Sequence, residues 1–205
     1  MANVPGMGAE VGTAKLTYPL EIRWHGRGGQ GAVTAAKLLA ETALGLGKYV
    51  QAFPQFGSER RGAPIMAFTR IDEKPITLYT TIPEPNILIV LDESLLEIPG
   101  VQNGLKEDGL LLVNSASSPA GIRKQLNRDG GSVACVSASE ISTEHLGRPV
   151  TNTAMLGAFL AATGILRLQD VLAHVRLKFS EQFPEAVVEG NLRAMQEAHE
   201  RVSLG

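Results

Sequence analysis

From Leu20 the chain alternates, with Leu20, Ile22 and Trp24 apolar and Glu21 and Arg23 charged. A period of two predicts a half-buried strand, running into a glycine turn at Gly26. The period then lengthens. Val33, Ala36, Leu39, Ala40 and Ala43 recur at helical spacing without proline, and Gly45 and Gly47 supply a stop, which predicts a helix over 32–46. A short strand is expected at 49–53, a glycine- and charge-rich loop at 54–62, and a strand at 64–71 that closes on the turn Asp72-Glu73-Lys74. Residues 76–79 are placed to pair back as a hairpin.

Residues 86–91 (NILIVL) form an uninterrupted apolar run between Pro85 and Asp92, the pattern of a central strand covered on both faces. Residues 110–113 and 132–136 read the same way, the first after a short helix and the turn at Asp108-Gly109. Three helical segments close the chain, at 153–163, 168–178 and 185–202, the last starting after Pro184. Strands alternating with helices predict an α/β fold: one Rossmann-like domain over 18–205, with a mostly parallel open sheet, helices on both faces and a helical C-terminus. Residues 1–17 are small and polar, without periodicity, and are expected to be a flexible tail or a strap across a partner.

Composition narrows the chemistry. The 205 residues are 44% hydrophobic and 20% charged, ordinary values for a globular domain. Nineteen basic against 21 acidic residues give a net charge of -2, which removes the basic field that nucleic-acid binding relies on. No apolar run approaches the roughly 18 residues of a membrane span and no signal peptide is visible, so a cytoplasmic protein is expected. The single cysteine, Cys135, cannot supply the four thiolates of an iron-sulfur cluster and reads as a core thiol of its strand.

Gly26-Arg27-Gly28-Gly29-Gln30-Gly31 satisfies G-x-G-x-x-G between a predicted strand and a predicted helix. Glycines there allow close backbone approach, and the start of a helix favours an anion, so a phosphate-bearing ligand fits. Tight packing of strand on helix explains the same glycines equally well. A dinucleotide would also need an acidic residue about 20 positions on, where the chain instead reads Val50-Gln51-Ala52-Phe53-Pro54.

GRGGQG at 26–31, AFPQFGSERRGAP at 52–64 and VTNTAMLGA at 150–158 occur in an order and at distances that closely resemble the gamma subunits, or gamma-type domains, of the pyruvate and 2-ketoisovalerate ferredoxin oxidoreductase family. The resemblance runs from about residue 20 to the C-terminus. It implies an assembly with alpha, beta and delta chains that oxidatively decarboxylates a 2-oxoacid, captures the acyl group on coenzyme A, and passes electrons to ferredoxin or another acceptor. It further implies that thiamine diphosphate, magnesium and four-iron clusters reside on the partners, and that the gamma-type chain has a structural and coenzyme A-handling role with no catalytic residue of its own. An enzyme for aryl 2-oxoacids such as phenylglyoxylate or indolepyruvate would carry the equivalent subunit. The readings of another class are a stand-alone nucleotide- or coenzyme A-binding module and an NAD-dependent enzyme.

The candidate cofactor-binding residues are Gly26, Arg27, Gly28, Gly29, Gln30 and Gly31 of the turn, together with Arg60 and Arg61. A guanidinium pair on a glycine-flexed loop suits a coenzyme A phosphate or a carboxylate on a neighbouring chain, and a solvated loop paired with Glu59 is the plain alternative. Arg27 and Gln30 could meet a ligand or brace an interface. His25 has no visible carboxylate or nucleophile beside it and reads as a packed residue. Asp92 follows a strand end of the kind at which open α/β sheets bind ligands but is expected to cap the turn at 93–96, and Asn152 and Thr153 are expected either to cap the next helix or to take the buried interface role that the resemblance implies. His174 and His199 lack a second ligand at i+4, so no metal site is expected. The apolar residues Phe53, Pro54, Phe56, Pro64, Met66 and Phe68 favour packing of the second loop on another subunit.

Overall fold

The computed structural model describes residues 10–11, 14–15, 17–55 and 62–205. Glu10–Val11 (β1) and Ala14–Lys15 (β2) pair as a small antiparallel ribbon; residues 1–9, 12–13 and 16 of the expected N-terminal tail lie outside the described residues. The main sheet has seven strands: Leu20–Arg27 (β3), Tyr49–Gln55 (β4), Pro64–Asp72 (β5), Ile87–Val90 (β6), Leu110–Asn114 (β7), Ser132–Val136 (β8) and Ser203–Leu204 (β9). Their order is β4-β5-β3-β6-β7-β8-β9. The four strands β3, β6, β7 and β8 run parallel through the centre, and β5, β4 and β9 are antiparallel additions on the two sides.

Period-two alternation sorts the central side chains onto two cores. Ile22, Trp24, Ile87, Ile89, Leu110 and Leu112 face a large cluster under the helices Ala32–Gly45 (α1), Asn152–Thr163 (α4), Leu168–Ser180 (α5) and Glu185–Arg201 (α6). Leu88, Val90, Leu111, Val113, Val133 and Cys135 face a smaller cluster, completed by Leu95 and Leu96 of the 3-10 turn Glu93–Glu97 and by Ile122 of the helix Pro119–Leu126 (α2). Both faces are covered, hence the unbroken apolar runs. A further helix, Ala138–Leu146 (α3), packs on α6.

Helix α4 is apolar all round and is buried between α1, α6 and the sheet. A Cβ at Gly157 would lie 2.0 Å from the carbonyl oxygen of Met195, so α4 and α6 cross in backbone contact. Thr153 Oγ1 donates to Asn191 Oδ1 at 2.9 Å across that crossing.

Several expectations need correction. The hairpin at 76–79 does not form, because β5 already has β3 on one edge and β4 on the other. The segment instead passes over Arg70, whose Nη1 donates to the carbonyl of Leu78 at 3.2 Å. Pro54 belongs to β4, and Phe53 stacks on Phe68 at a centroid distance of 5.2 Å, so most of the apolar residues assigned to the second loop are strand residues. Phe56 lies outside the described residues. Asn152 and Thr153 are inside α4 and buried; the N-cap is Thr151, which makes no side-chain capping bond. Helices α2 and α3 and strand β9 were not predicted.

Candidate functional site

β3 outlasts the glycine motif's first two residues: Gly26 and Arg27 are still paired with Ile65 and Pro64 of β5. The turn proper starts at Gly28, whose N–H donates to the carbonyl of Ala63 at 3.0 Å, and it ends at Gly31, the N-cap of α1. Gly31 has φ of 83°, and a Cβ there would stand 2.8–2.9 Å from the side-chain atoms of Asn152. That position requires glycine for two reasons, the left-handed backbone and the helix pressed against it. Gly29 has φ of 100°, and no atom of the described residues lies within 4 Å of where a Cβ would go.

Arg27 and Gln30 turn toward the end of β6. Gln30 Oε1 accepts from the Arg27 backbone N–H at 2.7 Å, and Gln30 Nε2 donates to Asp92 Oδ2 at 2.9 Å. Arg27 Nε lies 3.2 Å from the same carboxylate oxygen, while its Nη1 donates to the Gly62 carbonyl at 3.2 Å and its Nη2 to Ser94 Oγ at 2.8 Å. Asp92 also caps the 3-10 turn, accepting from the Ser94 N–H at 3.1 Å, as expected of it. Burial raises the Asp92 pKa, but bonds from Ser94 and Gln30 and the Arg27 charge outweigh that, and the carboxyl is held below its ordinary value. The guanidinium is therefore paired and braced within the chain.

The far end of the second loop, at Gly62 and Ala63, is thus tied to the glycine turn. Arg60 and Arg61 lie outside the described residues. His25 sits inside β3, opposite Met66, rather than after the strand. It is 7% exposed, its Nε2 has no partner among the described residues, and it lines an apolar hollow of about 260 Å³ with Met66, Leu95 and Val101. Burial first and the Arg23 charge second push its pKa down to about 4, so the ring is neutral. Arg23 itself is buried with no carboxylate bond among the described residues, donating to the carbonyls of Val101 at 2.9 Å and Asn103 at 2.6 Å. Cys135 is buried in β8, where burial and the Glu93 charge push its thiol up to about 11.

A dinucleotide fold places a second parallel strand beside the glycine-turn strand, with a ribose-binding acid at its end. Here antiparallel β5 occupies that side of β3, and β4 lies beyond it. The comparison with known proteins points elsewhere. The pyruvate ferredoxin/flavodoxin oxidoreductase family model matches residues 21–201. The chain belongs to this family. It is 51% identical over 185 residues to the common gamma subunit of the pyruvate/ketoisovalerate oxidoreductases of Pyrococcus abyssi, covering 90% of this chain and 98% of that one. Among solved structures, the pyruvate oxidoreductase subunit PORC of Thermotoga maritima superposes with a TM-score of 0.79 at 40% identity, over 91% of this chain and 98% of that one. The gamma subunit of a keto/oxoacid ferredoxin oxidoreductase from Geobacter sulfurreducens gives 0.65 at 26% identity, over 88% and 96%. The chain is a gamma-type member, and its glycine turn, second loop and buried α4 are the three segments that carried the resemblance.

The Arg27–Asp92–Ser94 connection was not legible in the sequence, because it joins positions 65 or more residues apart. The contact of Asn152 with Gly31 was missed too; the one available signal was an amide residue at the start of an otherwise apolar helix.

Proposed function

We propose that this chain is the gamma subunit of a multi-subunit 2-oxoacid oxidoreductase that decarboxylates a 2-oxoacid, forms the acyl-CoA and passes electrons to ferredoxin or another acceptor. Its partners would be alpha, beta and delta chains carrying thiamine diphosphate and the iron-sulfur clusters. A buried thiol with a pKa near 11 is a poor cluster ligand at neutral pH, which is consistent with clusters on other chains.

The observation that carries the reading is the joining of glycine turn and second loop at the carboxyl end of β3 in a chain matched over 21–201 by the family model. Coenzyme A suits the outer side of that turn. Gly29 has no neighbour among the described residues, and the N-cap of α1 is a glycine with no side chain to offer, so backbone N–H groups of the turn and helix can receive a phosphate. Arg60 and Arg61 would supply the positive charge, since Arg27 is already neutralised by Asp92. The chain's own contribution is to bind and orient the coenzyme; bound there, the coenzyme supplies the thiol that accepts the acyl group.

The test is to purify the protein from its host without oxygen, identify co-purifying chains, and assay reduction of a viologen dye with several 2-oxoacids, with and without coenzyme A. Replacing Arg60→Gln and Arg61→Gln should raise KM for coenzyme A and leave that for the 2-oxoacid unchanged. A lone monomer that binds coenzyme A without partners would overturn the subunit assignment in favour of a stand-alone binding module.

A further inference from the structure

The glycine turn ends against a fixed post. A Cβ at Gly31 would stand 2.8–2.9 Å from Nδ2, Cβ and Cγ of Asn152, so that side chain lies flush on the Gly31 backbone. Because Cβ is among the crowding atoms, the contact is set by the backbone of α4 and is not relieved by rotating a flexible tip. That backbone is itself held. Thr153 Oγ1 donates to Asn191 Oδ1 at 2.9 Å, and Gly157 crosses α6 in contact with Met195. Helix α4 also packs on α1, whose N-cap is Gly31.

Packing alone does not explain an amide in that place. Asn152 is 6% exposed, and its Oδ1, like Oγ1 of the neighbouring Thr151, is buried without a hydrogen-bond partner among the described residues. An unpaired buried polar atom costs stability, and an apolar side chain of similar size would avoid that cost. Leucine has the size, but its tetrahedral Cγ sets a methyl out of the plane that an amide keeps. Aspartate has the plane but brings a charge. Asparagine is both flat, so the backbone of Gly31 can come close, and uncharged. The second property bears on what lies in front of it. The N–H groups of Gly29, of Gly31 and of the first turn of α1 have no acceptor among the described residues, and a carboxylate behind them would oppose an anion arriving there.

We propose that Asn152 is a positioning residue for anion binding at the glycine turn: from behind, it fixes Gly31 and the start of α1 so that their N–H groups keep one direction, and it adds no charge against the anion. It touches the back of the turn and not the ligand. The proposal rests on the coenzyme A reading and extends it to a residue outside both the turn and the second loop.

The experiment is steady-state kinetics on the complex isolated with Asn152→Ala or Asn152→Asp in this chain, with KM measured separately for coenzyme A and for the 2-oxoacid. Asn152→Ala withdraws the post and should raise KM for coenzyme A about tenfold, less than the roughly hundredfold that a misplacement of about 1 Å can cost. Asn152→Asp keeps the shape but adds the opposing charge, and should raise the same KM at least as far; Asn152→Ala carries the test alone if the acid prevents assembly. KM for the 2-oxoacid should not move. Gly31→Ala should also raise KM for coenzyme A, by a smaller factor in the Asn152→Ala background, where room for the methyl has been vacated. An unchanged KM for coenzyme A in the Asn152 variants overturns the proposal. So does a rise of both KM values together with a lower melting temperature, which is what a merely structural role gives, and so do fully independent effects of Gly31→Ala and Asn152→Ala. If Arg60→Gln and Arg61→Gln raise KM for coenzyme A while the Asn152 variants do not, the positioning role fails alone; if neither set moves it, the coenzyme A reading fails too.

Discussion

Acid should unfold this chain earlier than its carboxylates alone would require, because of His25. The ring is 7% exposed in β3, its Nε2 is unpartnered, and Arg23 is the nearby charge, so protonation in place is opposed by burial and by like charge. The folded pKa is lowered from 6.5 to about 4. In the unfolded chain the ring takes its proton near 6.5, whereas in the native chain it does so only near 4. Between those values the unfolded state holds more protons, so stability rises with pH: the contribution is complete above 6.5 and is lost as pH falls through the window to about 4. At roughly 1.4 kcal/mol per unit, the whole window is worth about 3 kcal/mol. The assay is urea unfolding from pH 7.5 to 4.5 for the wild type and for His25→Leu, which keeps the position apolar against Met66 and Leu95. Acid-sensitive carboxylates act in both proteins and cancel in the difference. Wild-type stability should fall more steeply than that of the variant below pH 6.5. Parallel curves, or an imidazole NMR signal from His25 titrating near 6.5, would refute the argument.

Three further outcomes follow from particular contacts. Gly157→Ala should destabilise by ~2–3 kcal/mol, because the added methyl meets the Met195 carbonyl at 2.0 Å and the helix-propensity gain of ~1 kcal/mol cannot offset the forced separation of α4 and α6; thermal melting checks it. Cys135 should react with a disulfide reagent at pH 8 about a hundredfold more slowly in the native chain than in urea, from the rise of its pKa from 9.0 to about 11 alone and before its burial is counted. Asp92→Asn removes the charge that pairs Arg27 while keeping the shape, and should cost ~1 kcal/mol for this partly exposed pair, read as a lower urea midpoint; no change would mean that Arg27 is held by Gly62 and Ser94 alone.

The parallel centre of the fold was legible because its strands announce themselves. A run such as Ile87–Val90, buried on both faces, leaves no polar register to confuse with a helix, and α1 carries its apolar stripe between clear stops. What escaped was short or decided by tertiary pairing. Helix α2 has eight residues with a glycine among them, held by Ser118 accepting from Gly121 N–H, and β9 is two residues that add to β8 only because α6 returns the chain there. The expected hairpin at 76–79 failed for a reason no local pattern carries. Its would-be partner β5 gains a second neighbour, β4, from a segment that had already passed.

The site divides the same way. A glycine motif states that backbone must come close to something, but not to what, and here two of its glycines meet different demands. Gly31 is filled from behind by Asn152, a residue 121 positions later, while no atom of the described residues lies within 4 Å of where a Cβ on Gly29 would go. In sequence, packing and ligand contact are alternatives for the whole motif, yet in the structure Gly31 serves packing while Gly29 has no neighbour among the described residues. Charge follows the same logic. In sequence Arg27 is open to a phosphate or to bracing an interface, and the carboxylate that neutralises it comes from the end of β6. If the turn receives an anion, the charge it uses must therefore come from the backbone and from the second loop. Loss of Arg60 and Arg61 should then affect coenzyme binding more than loss of Arg27, whose removal should chiefly lower stability by leaving Asp92 without its cation.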